Sequence, residues 1–279
     1  MSLVISTHSS KSMLETAVEA AKQAGRVIAE RYPDGRTLTR KGYRDIVTAA
    51  DTAAEAIILD LIRSRFPEHK VISEEAGGEG VGNGYTWIVD PLDGTTNYAH
   101  HVPIFAVSIG ILLEGNFVIG VVHDPLRDQT FTAIRGKGAW FESTPMHVSD
   151  AAHLDRAVIG LDWGRSNQAR EQVVDYLQRL APRCRTLRGI GTSALAMAYV
   201  AAGWLDAYFH PAIKCWDAAA GELLVLEAGG RCTTLEGHPF CMGSSSCLAT
   251  NSLVHDCILH AMKAKQAQAN SAIRQPRGG

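Results

Sequence analysis

The 279-residue sequence has no apolar run long enough to cross a membrane. A membrane-spanning helix needs about 20 consecutive apolar residues, and no stretch of this chain reaches that length. The first residues, MSLVISTHSSKS, also lack the basic segment followed by an apolar segment that is typical of a signal peptide. These absences predict a protein without a membrane partner and without a secretory signal.

The chain also lacks any block of Lys and Arg, and its formal net charge is -2. Nucleic acids and anionic membranes attract proteins through clustered positive charge, so neither is a favoured partner. The apolar fraction of 46% and the charged fraction of 20% are ordinary for a globular protein. The length suits one large domain, or two smaller ones built on a continuous core.

The six cysteines form no CxxC pair, and their spacing does not suggest a zinc site. A chain of this length does not need disulfides to stabilise its core. We therefore expect reduced, mostly buried thiols in a cytoplasmic protein, with a Cys241–Cys247 disulfide as the less favoured alternative.

The first half of the sequence predicts two helices on an antiparallel meander. Apolar residues recur at steps of three and four over residues 12–32 and about 48–66, and prolines follow both segments. Shorter apolar runs predict strands at 71–72, 87–90, 106–113, 117–123, 130–134 and 139–141. The sequence Glu114-Gly115-Asn116 predicts a hairpin between two of them.

The second half alternates between strands and helices, which predicts an α/β arrangement. Strands are expected at 157–161, 205–209 and 247–250, and helices at 168–180, 192–202, 218–228 and 253–265. We predict a single compact unit with a flexible N-terminus (1–11), an α+β half with the metal site (12–150), an α/β half (151–265) and a disordered tail (266–279).

Acidic residues stand at the ends of several predicted elements, where scaffolds often place reactive groups. Each has a purely structural alternative. Thr48 and Asp51 fit a capping box, and Asp217 could be a helix N-cap. The pair Glu74-Glu75 could be solvated, and Asp-Pro-Leu-Asp-Gly, at residues 90–94, is a good turn signal.

Taken together, these carboxylates predict a metal site. Mg²⁺ prefers carboxylate, carbonyl and water oxygens. Asp90 and Asp93 could face one site from opposite sides of a turn, and the carbonyl of Leu92 could add an oxygen. Clustered carboxylates repel one another without cations, so a cluster implies bound metal.

Two short stretches are candidates for binding a phosphorylated ligand. Glycine allows close approach of the backbone, and a helix start favours an anion. The first stretch is Gly94-Thr95-Thr96, and the second is Gly191-Thr192-Ser193. Small polar residues open many helices, so each signal is weak by itself.

Four motifs, in order, resemble the inositol monophosphatase family of Mg²⁺-dependent, lithium-sensitive phosphatases. WIVDPLDGTTNYAH (87–100) is similar to the first signature of that family, and WDAAAGELLVLEAGG (216–230) to the second. DIVTAAD and SEEAG are similar to its upstream motifs. The resemblance extends to about residue 260. It implies a layered αβαβα sandwich, usually a homodimer, that hydrolyses a small phosphorylated metabolite with two to three Mg²⁺ per subunit.

The resemblance also implies a role for each matching residue. Glu74, Asp90 and the Leu92 carbonyl would hold the first Mg²⁺, and Asp90, Asp93 and Asp217 the second. A third, weaker ion would lie near Glu74, which also counts as catalytic. Asp51 and Thr95 would position and activate the attacking water. The substrate surface would comprise Asp93, Gly94, Thr95, Thr96, Gly191, Thr192, Ser193, His210 and Asp217.

The sequence departs from the family at His210. Members that act on inositol phosphate usually carry glutamate there, and a neutral imidazole cannot reproduce the two-oxygen grip of a carboxylate. Inositol 1-phosphate is the first expected substrate, with fructose 1,6-bisphosphate, histidinol phosphate and 3′-phosphoadenosine 5′-phosphate as alternatives. Arg40 and Lys41, expected in a polar loop, could attract an anion or be merely solvated. The alternative from a different functional class is a protein that keeps the fold and binds a partner or a phosphorylated ligand without catalysis.

Overall fold

A computed structural model describes residues 7–34, 38–42, 45–78, 80 and 82–263. Over these residues the chain forms seven α-helices and fourteen β-strands. The helices are α1 (Thr7–Arg31), α2 (Ala49–Arg65), α3 (Thr95–Ala99), α4 (Asn167–Leu180), α5 (Ser193–Ala201), α6 (Cys215–Glu227) and α7 (His255–Lys263). The strands are β1 (Leu38–Gly42), β2 (Asp45–Thr48), β3 (Lys70–Ser73), β4 (Tyr85–Asp93), β5 (Ala106–Leu113), β6 (Asn116–Asp124), β7 (Gln129–Ile134), β8 (Gly138–Phe141), β9 (Thr144–Pro145), β10 (Val158–Leu161), β11 (Thr186–Gly189), β12 (Ala207–His210), β13 (Arg231–Thr233) and β14 (Cys247–Thr250).

A seven-stranded sheet with the order β3-β4-β5-β6-β7-β8-β9 dominates the first half. Adjacent strands of this sheet are antiparallel, except for the parallel pair β3 and β4. The predicted meander is therefore confirmed. Helices α1 and α2 cover one face. They bury Met13, Ile28, Ile58 and Ile62 in one cluster with Trp87 of β4. Each such aliphatic side chain contributes about 1.5–3 kcal/mol when fully buried.

Helices α5 and α6 lie between this sheet and a second one, and glycines set how closely α6 approaches. A Cβ added to Gly110 of β5 would lie 2.7 Å from the Cβ of Ala219. A Cβ added to Gly120 of β6 would lie 2.7 Å from the carbonyl oxygen of Ala220. No side chain fits in these gaps, so the two glycines fix the position of α6 and therefore of Asp217 in its first turn.

The second sheet has five strands in the order β11-β10-β12-β14-β13. Strand β10 is parallel to β11 and β12, whereas β14 is antiparallel to both of its neighbours. Helices α4 and α7 bury Val173 and Ile258 against the outer face of this sheet, beside Ile159 and Phe209. The layers are therefore α1/α2, the first sheet, α5/α6, the second sheet and α4/α7. This is the predicted αβαβα sandwich.

The predicted turn at DPLD is wrong. Strand β4 continues through Asp93, and its pairing with β5 shifts register between Asp90 and Asp93. Pro91 has no N–H to donate to a neighbouring strand, so a local irregularity is expected there. Such a bulge re-aims the side chains that follow it. The two carboxylates therefore emerge from an irregular strand end rather than from a turn.

Some boundaries also differ from prediction. Helix α1 begins at Thr7, five residues before its predicted start at residue 12. Arg40 and Lys41 lie in β1, which pairs with β2, rather than in a loop. These strands were not predicted because their short polar sequences show no apolar alternation. The predicted tail, residues 266–279, lies outside the described residues.

All six cysteines are free thiols, so the alternative Cys241–Cys247 disulfide does not form. Cys232 and Cys247 are buried, Cys184 and Cys215 are half-buried, and Cys241 and Cys257 are exposed. The thiols are therefore less uniformly buried than expected. In the part of the chain that the structure describes, every helix is too short or too polar to be a membrane span.

Candidate active site

The parallel pairing of β3 and β4 brings the first two acidic residues together. Ser73, the last residue of β3, pairs with Val89 of β4. The next residues along the two strands are Glu74 and Asp90. The backbone N–H of Glu74 donates to the carbonyl of Val89 over 3.1 Å, which keeps the two backbone segments in register beyond the end of β3. Both carboxylates therefore leave the same edge of the sheet.

Asp217 of α6 completes a cluster of three carboxylates. One oxygen each of Glu74, Asp90 and Asp217 lies within 4.8 Å of the other two. Asp217 is not the predicted N-cap: it lies in the first turn of α6, and its Oδ2 accepts from the backbone N–H of Lys214 over 2.9 Å. This bond fixes the carboxylate at the positive end of the helix, where a negative charge is favourable.

The electrostatics of the cluster favour a hard cation. Asp90 is 1% exposed, and burial raises its pKa well above the usual value, with further increases from the charges of Glu74, Asp93 and Asp217. Burial and the neighbouring Asp93 raise the pKa of Asp217 to about 7. Removing these carboxylates from water is unfavourable unless positive charge is close. Oxygen donors that converge in this way are the ligand set of Mg²⁺, so the residues present fit that ion.

Asp93 lies beside the cluster but outside the group of three. Its Oδ2 accepts from the Thr192 hydroxyl and, over 2.7 Å, from the backbone N–H of Ala194 at the start of α5. Burial raises its pKa to about 7, although both hydrogen bonds act to lower it. Both contacts use Oδ2, so Oδ1 is the oxygen with which Asp93 could reach a cation. Its predicted role as a metal ligand stays a prediction.

Asp51 and Thr95 form a connected pair next to the metal cluster. Asp51 Oδ2 accepts from the backbone N–H of Thr48 over 2.8 Å and from its hydroxyl over 2.6 Å, which confirms the predicted capping box. The Thr95 hydroxyl lies 3.2 Å from Asp51 Oδ1 and 3.0 Å from the Leu92 carbonyl. A hydroxyl has one proton, so Thr95 donates to one of these oxygens at a time. Asp51 thus serves as helix cap and as one hydrogen-bond acceptor for Thr95.

The sequence Gly94-Thr95-Thr96 opens a helix, as predicted. Gly94 precedes the short helix α3 with φ 95°, a left-handed conformation that favours glycine. A Cβ at this position would also lie 3.1 Å from the carbonyl of Gly191. Thr95 is half-buried and Thr96 is exposed. All three residues line the central cavity, and their contact with phosphate stays a prediction.

The second predicted stretch also opens a helix, but its hydroxyls turn inward. Thr192 caps α5 and donates to Asp93, while the Ser193 hydroxyl lies 2.8 Å from that of Tyr208. Gly191 is exposed at the cavity wall. The structure therefore shows Thr192 and Ser193 supporting other side chains of the site, and their contact with the organic part of a substrate is untested.

The residues of the site surround a cavity of about 1210 Å³, and His210 lies in its wall. His210 ends β12 and is half-buried. Burial and the charge of Arg165 lower its pKa to about 4. Its Nδ1 accepts from the backbone N–H of Ala212 over 3.0 Å. The neutral ring therefore carries its proton on Nε2.

Three residues of the site escaped sequence reasoning. Asp162 follows β10 and accepts from the backbone N–H of Gly191 and from the Tyr208 hydroxyl, each over 2.9 Å. Arg165 lies 3.4 Å from Glu74. Glu55 of α2 accepts from the backbone N–H of Ala76 over 2.9 Å and so holds the loop that carries Glu74. Asp162 stands at a strand end and could have been found there. Arg165 and Glu55 belong to no motif.

Comparison with known proteins shows extensive similarity in sequence and fold. The profile of the inositol monophosphatase family matches residues 9–268. "Nus factor SuhB" of Escherichia coli (strain K12) is 40% identical over 261 residues, with 92% of this chain and 98% of that protein covered. "Inositol monophosphatase 2" of Solanum lycopersicum is 37% identical over 257 residues, with coverage of 89% and 97%. A crystal structure of extragenic suppressor protein suhB from Bartonella henselae matches with a TM-score of 0.86 and 34% identity, over 90% of this chain and 98% of that one.

Proposed function

The chain belongs to the inositol monophosphatase family, and from this premise we propose that it is a Mg²⁺-dependent phosphomonoesterase. The carrying observation is the convergence of Glu74, Asp90 and Asp217 within 4.8 Å, inside a cavity that also contains Thr95. Carboxylates gathered in this way serve metal-assisted hydrolysis, and a hydroxyl linked to a buried carboxylate serves proton transfer.

The proposed metal ligands are Glu74, Asp90, Asp217, the Leu92 carbonyl and Oδ1 of Asp93. When bound, Mg²⁺ would supply Lewis acidity, which makes water more acidic and neutralises charge on the phosphoryl group. Two to three ions per subunit are part of the proposal, since the four carboxylates carry more negative charge than one divalent ion neutralises.

The protein itself supplies orientation and proton transfer. The Thr95 hydroxyl lies 3.2 Å from Asp51 Oδ1. In the proposed mechanism it would pass its proton to Asp51 while its oxygen takes a proton from the water molecule that attacks phosphorus. As the new P–O bond forms, the P–O bond to the alcohol would break, and the alkoxide would take up a proton from a second water molecule in the cavity. The backbone N–H groups of Gly94, Thr95 and Thr96 would meet the phosphate oxygens in this proposal.

The proposed substrate is a small sugar-like phosphate. Inositol 1-phosphate is the family expectation, and fructose 1,6-bisphosphate, histidinol phosphate and 3′-phosphoadenosine 5′-phosphate are the alternatives. A cytoplasmic homodimer belongs to the same proposal. The free thiols are consistent with a reducing compartment.

A non-catalytic role is the second candidate, because the Escherichia coli relative is called a Nus factor. The net charge of -2 does not favour a nucleic-acid partner for this candidate. The candidate catalytic residues argue for the enzyme, since a protein that only binds has no need of them. All six are present: Asp51, Glu74, Asp90, Asp93, Thr95 and Asp217.

Phosphate release from a panel of phosphate monoesters, with Mg²⁺ and with a chelator, tests the proposal. We expect release that requires Mg²⁺ and that falls at least about 100-fold in Asp217→Asn, since loss of one electrostatic group in an active site has that order of effect. Asp155→Asn, an exposed carboxylate outside the cavity, is the matched control and should retain full activity. No release from any ester at millimolar Mg²⁺ would favour the non-catalytic role.

A further inference from the structure

One part of the cavity wall is cationic, in contrast to the acidic metal cluster. Arg165, Arg170 and Lys214 all line it. Besides the four proposed metal carboxylates, Asp162 is the one acidic side chain among the described residues of the wall. Both of its oxygens already accept hydrogen bonds, from the backbone of Gly191 and from the hydroxyl of Tyr208. The hydrogen-bond partners of Asp162 are therefore neutral donors rather than the cations of this wall.

Arg165 belongs to this wall and also contacts the metal cluster. Its guanidinium lies 3.4 Å from Glu74 while its side chain remains 51% exposed. A cation held by Glu74 would repel the guanidinium. The long, exposed side chain can then turn to an anion in the cavity, for which the planar guanidinium is well suited.

The start of α4 adds to the positive potential at this wall. Ser166 caps this helix, Arg170 lies in its first turn, and both line the cavity. The first turn contains no acidic residue that would offset the positive end of the helix dipole. With 14 residues, α4 is long enough for its backbone N–H groups to attract an anion.

His210 presents a hydrogen-bond donor at the cavity wall. Its Nδ1 is occupied by the N–H of Ala212, so Nε2 carries the proton. An N–H donor of this kind can bond an anionic oxygen, but it cannot accept a hydrogen bond as a carboxylate does.

We propose that the preferred substrate carries a second anionic group, and that Arg165, Arg170 and His210 hold that group while the scissile phosphate meets the metal cluster. This inference rests on the proposed phosphatase function and narrows its substrate class to bisphosphate-like monoesters. Fructose 1,6-bisphosphate and 3′-phosphoadenosine 5′-phosphate fit it, whereas inositol 1-phosphate has no second anion and histidinol phosphate carries a cationic amine.

The test compares substrates that differ by one anionic group: fructose 1,6-bisphosphate with fructose 1-phosphate, and inositol 1,4-bisphosphate with inositol 1-phosphate. We expect kcat/KM to favour each bisphosphate by about tenfold or more, the order of one charge-assisted hydrogen bond. Arg165→Gln should reduce this ratio about tenfold, and Arg165→Lys should restore part of it. Arg183→Gln, an exposed arginine outside the cavity, should leave the ratio unchanged.

A binding measurement separates recognition from turnover. In an Asp51→Asn background, which removes the proposed proton acceptor, calorimetry with Mg²⁺ should give a dissociation constant about tenfold lower for the bisphosphate of each pair. Adding Arg165→Gln should remove that difference. Phosphate release without preference for bisphosphates, or a preference that Arg165→Gln leaves intact, would overturn the inference alone. No release from any ester would overturn the proposed function and this inference with it.

Discussion

Replacing Asp90 by asparagine should stabilise the metal-free protein while it abolishes metal binding. Asp90 is buried at the centre of the carboxylate cluster, and its Oδ1 accepts from the backbone N–H of Leu92 over 3.0 Å. Asparagine keeps that oxygen and nearly the same shape, so the hydrogen bond survives. The substitution therefore removes charge with little change in packing.

The size of the effect follows from the distances in the cluster. Ligand atoms of Glu74, Asp90 and Asp217 lie within 4.8 Å of one another. Two unit charges at that distance repel by about 3.5 kcal/mol at an effective dielectric constant of about 20. Protonation relieves part of this repulsion, because the pKa of Asp90 is raised well above its usual value. We therefore expect a gain of about 1–3 kcal/mol in the free energy of unfolding at pH 8 without metal.

Thermal unfolding in a chelator and in Mg²⁺ measures both halves of this prediction. The wild-type midpoint should rise when Mg²⁺ is added, because a ligand that binds only the folded state stabilises it. Asp90→Asn should begin from a higher midpoint and show no such rise. Asp60→Asn, an exposed carboxylate on α2, is the control and should behave like wild type. A lower midpoint for Asp90→Asn in chelator would refute the argument that repulsion dominates the metal-free cluster.

Three other predictions concern pH, packing and specificity. Burial holds the pKa values of Asp93 and Asp217 at about 7, above the value of about 3.9 in an unfolded chain. The folded state therefore binds more protons between about pH 4 and 7, and metal-free stability should fall as pH rises through this window in denaturation experiments. Gly110→Ala should cost about 1–3 kcal/mol of stability and weaken Mg²⁺ binding, because the added Cβ forces α6 to move. Calorimetry would measure both effects. The control is Gly243→Ala, whose added Cβ meets nothing within 4 Å. His210→Glu should raise kcat/KM for inositol 1-phosphate and lower it for bisphosphates, and an unchanged substrate ranking would remove this residue from the specificity site.

Most helices and strands could be predicted because their signals are local. The apolar repeat that predicts α2 continues to the end of that helix, and the capping box of Thr48 and Asp51 forms as its spacing predicts. The prediction of a turn at DPLD (residues 90–93) was wrong because these residues are compatible with two backbone conformations. Pro91 is compatible with a turn and with a bulged strand end, and pairing with β5 decides between them.

The sequence by itself determined the candidate acidic residues, the order of most helices and strands, and the family. Only the tertiary structure decided which carboxylates meet. Glu74 and Asp90 converge through parallel pairing of β3 and β4, and Asp217 joins them because glycines in the sheet admit α6 closely. The structure also assigned Thr192 to Asp93 and brought Arg165 to the metal cluster. These last two contacts join residues 99 and 91 positions apart in the chain. No local pattern encodes them, and only the packing of the layers brings them together.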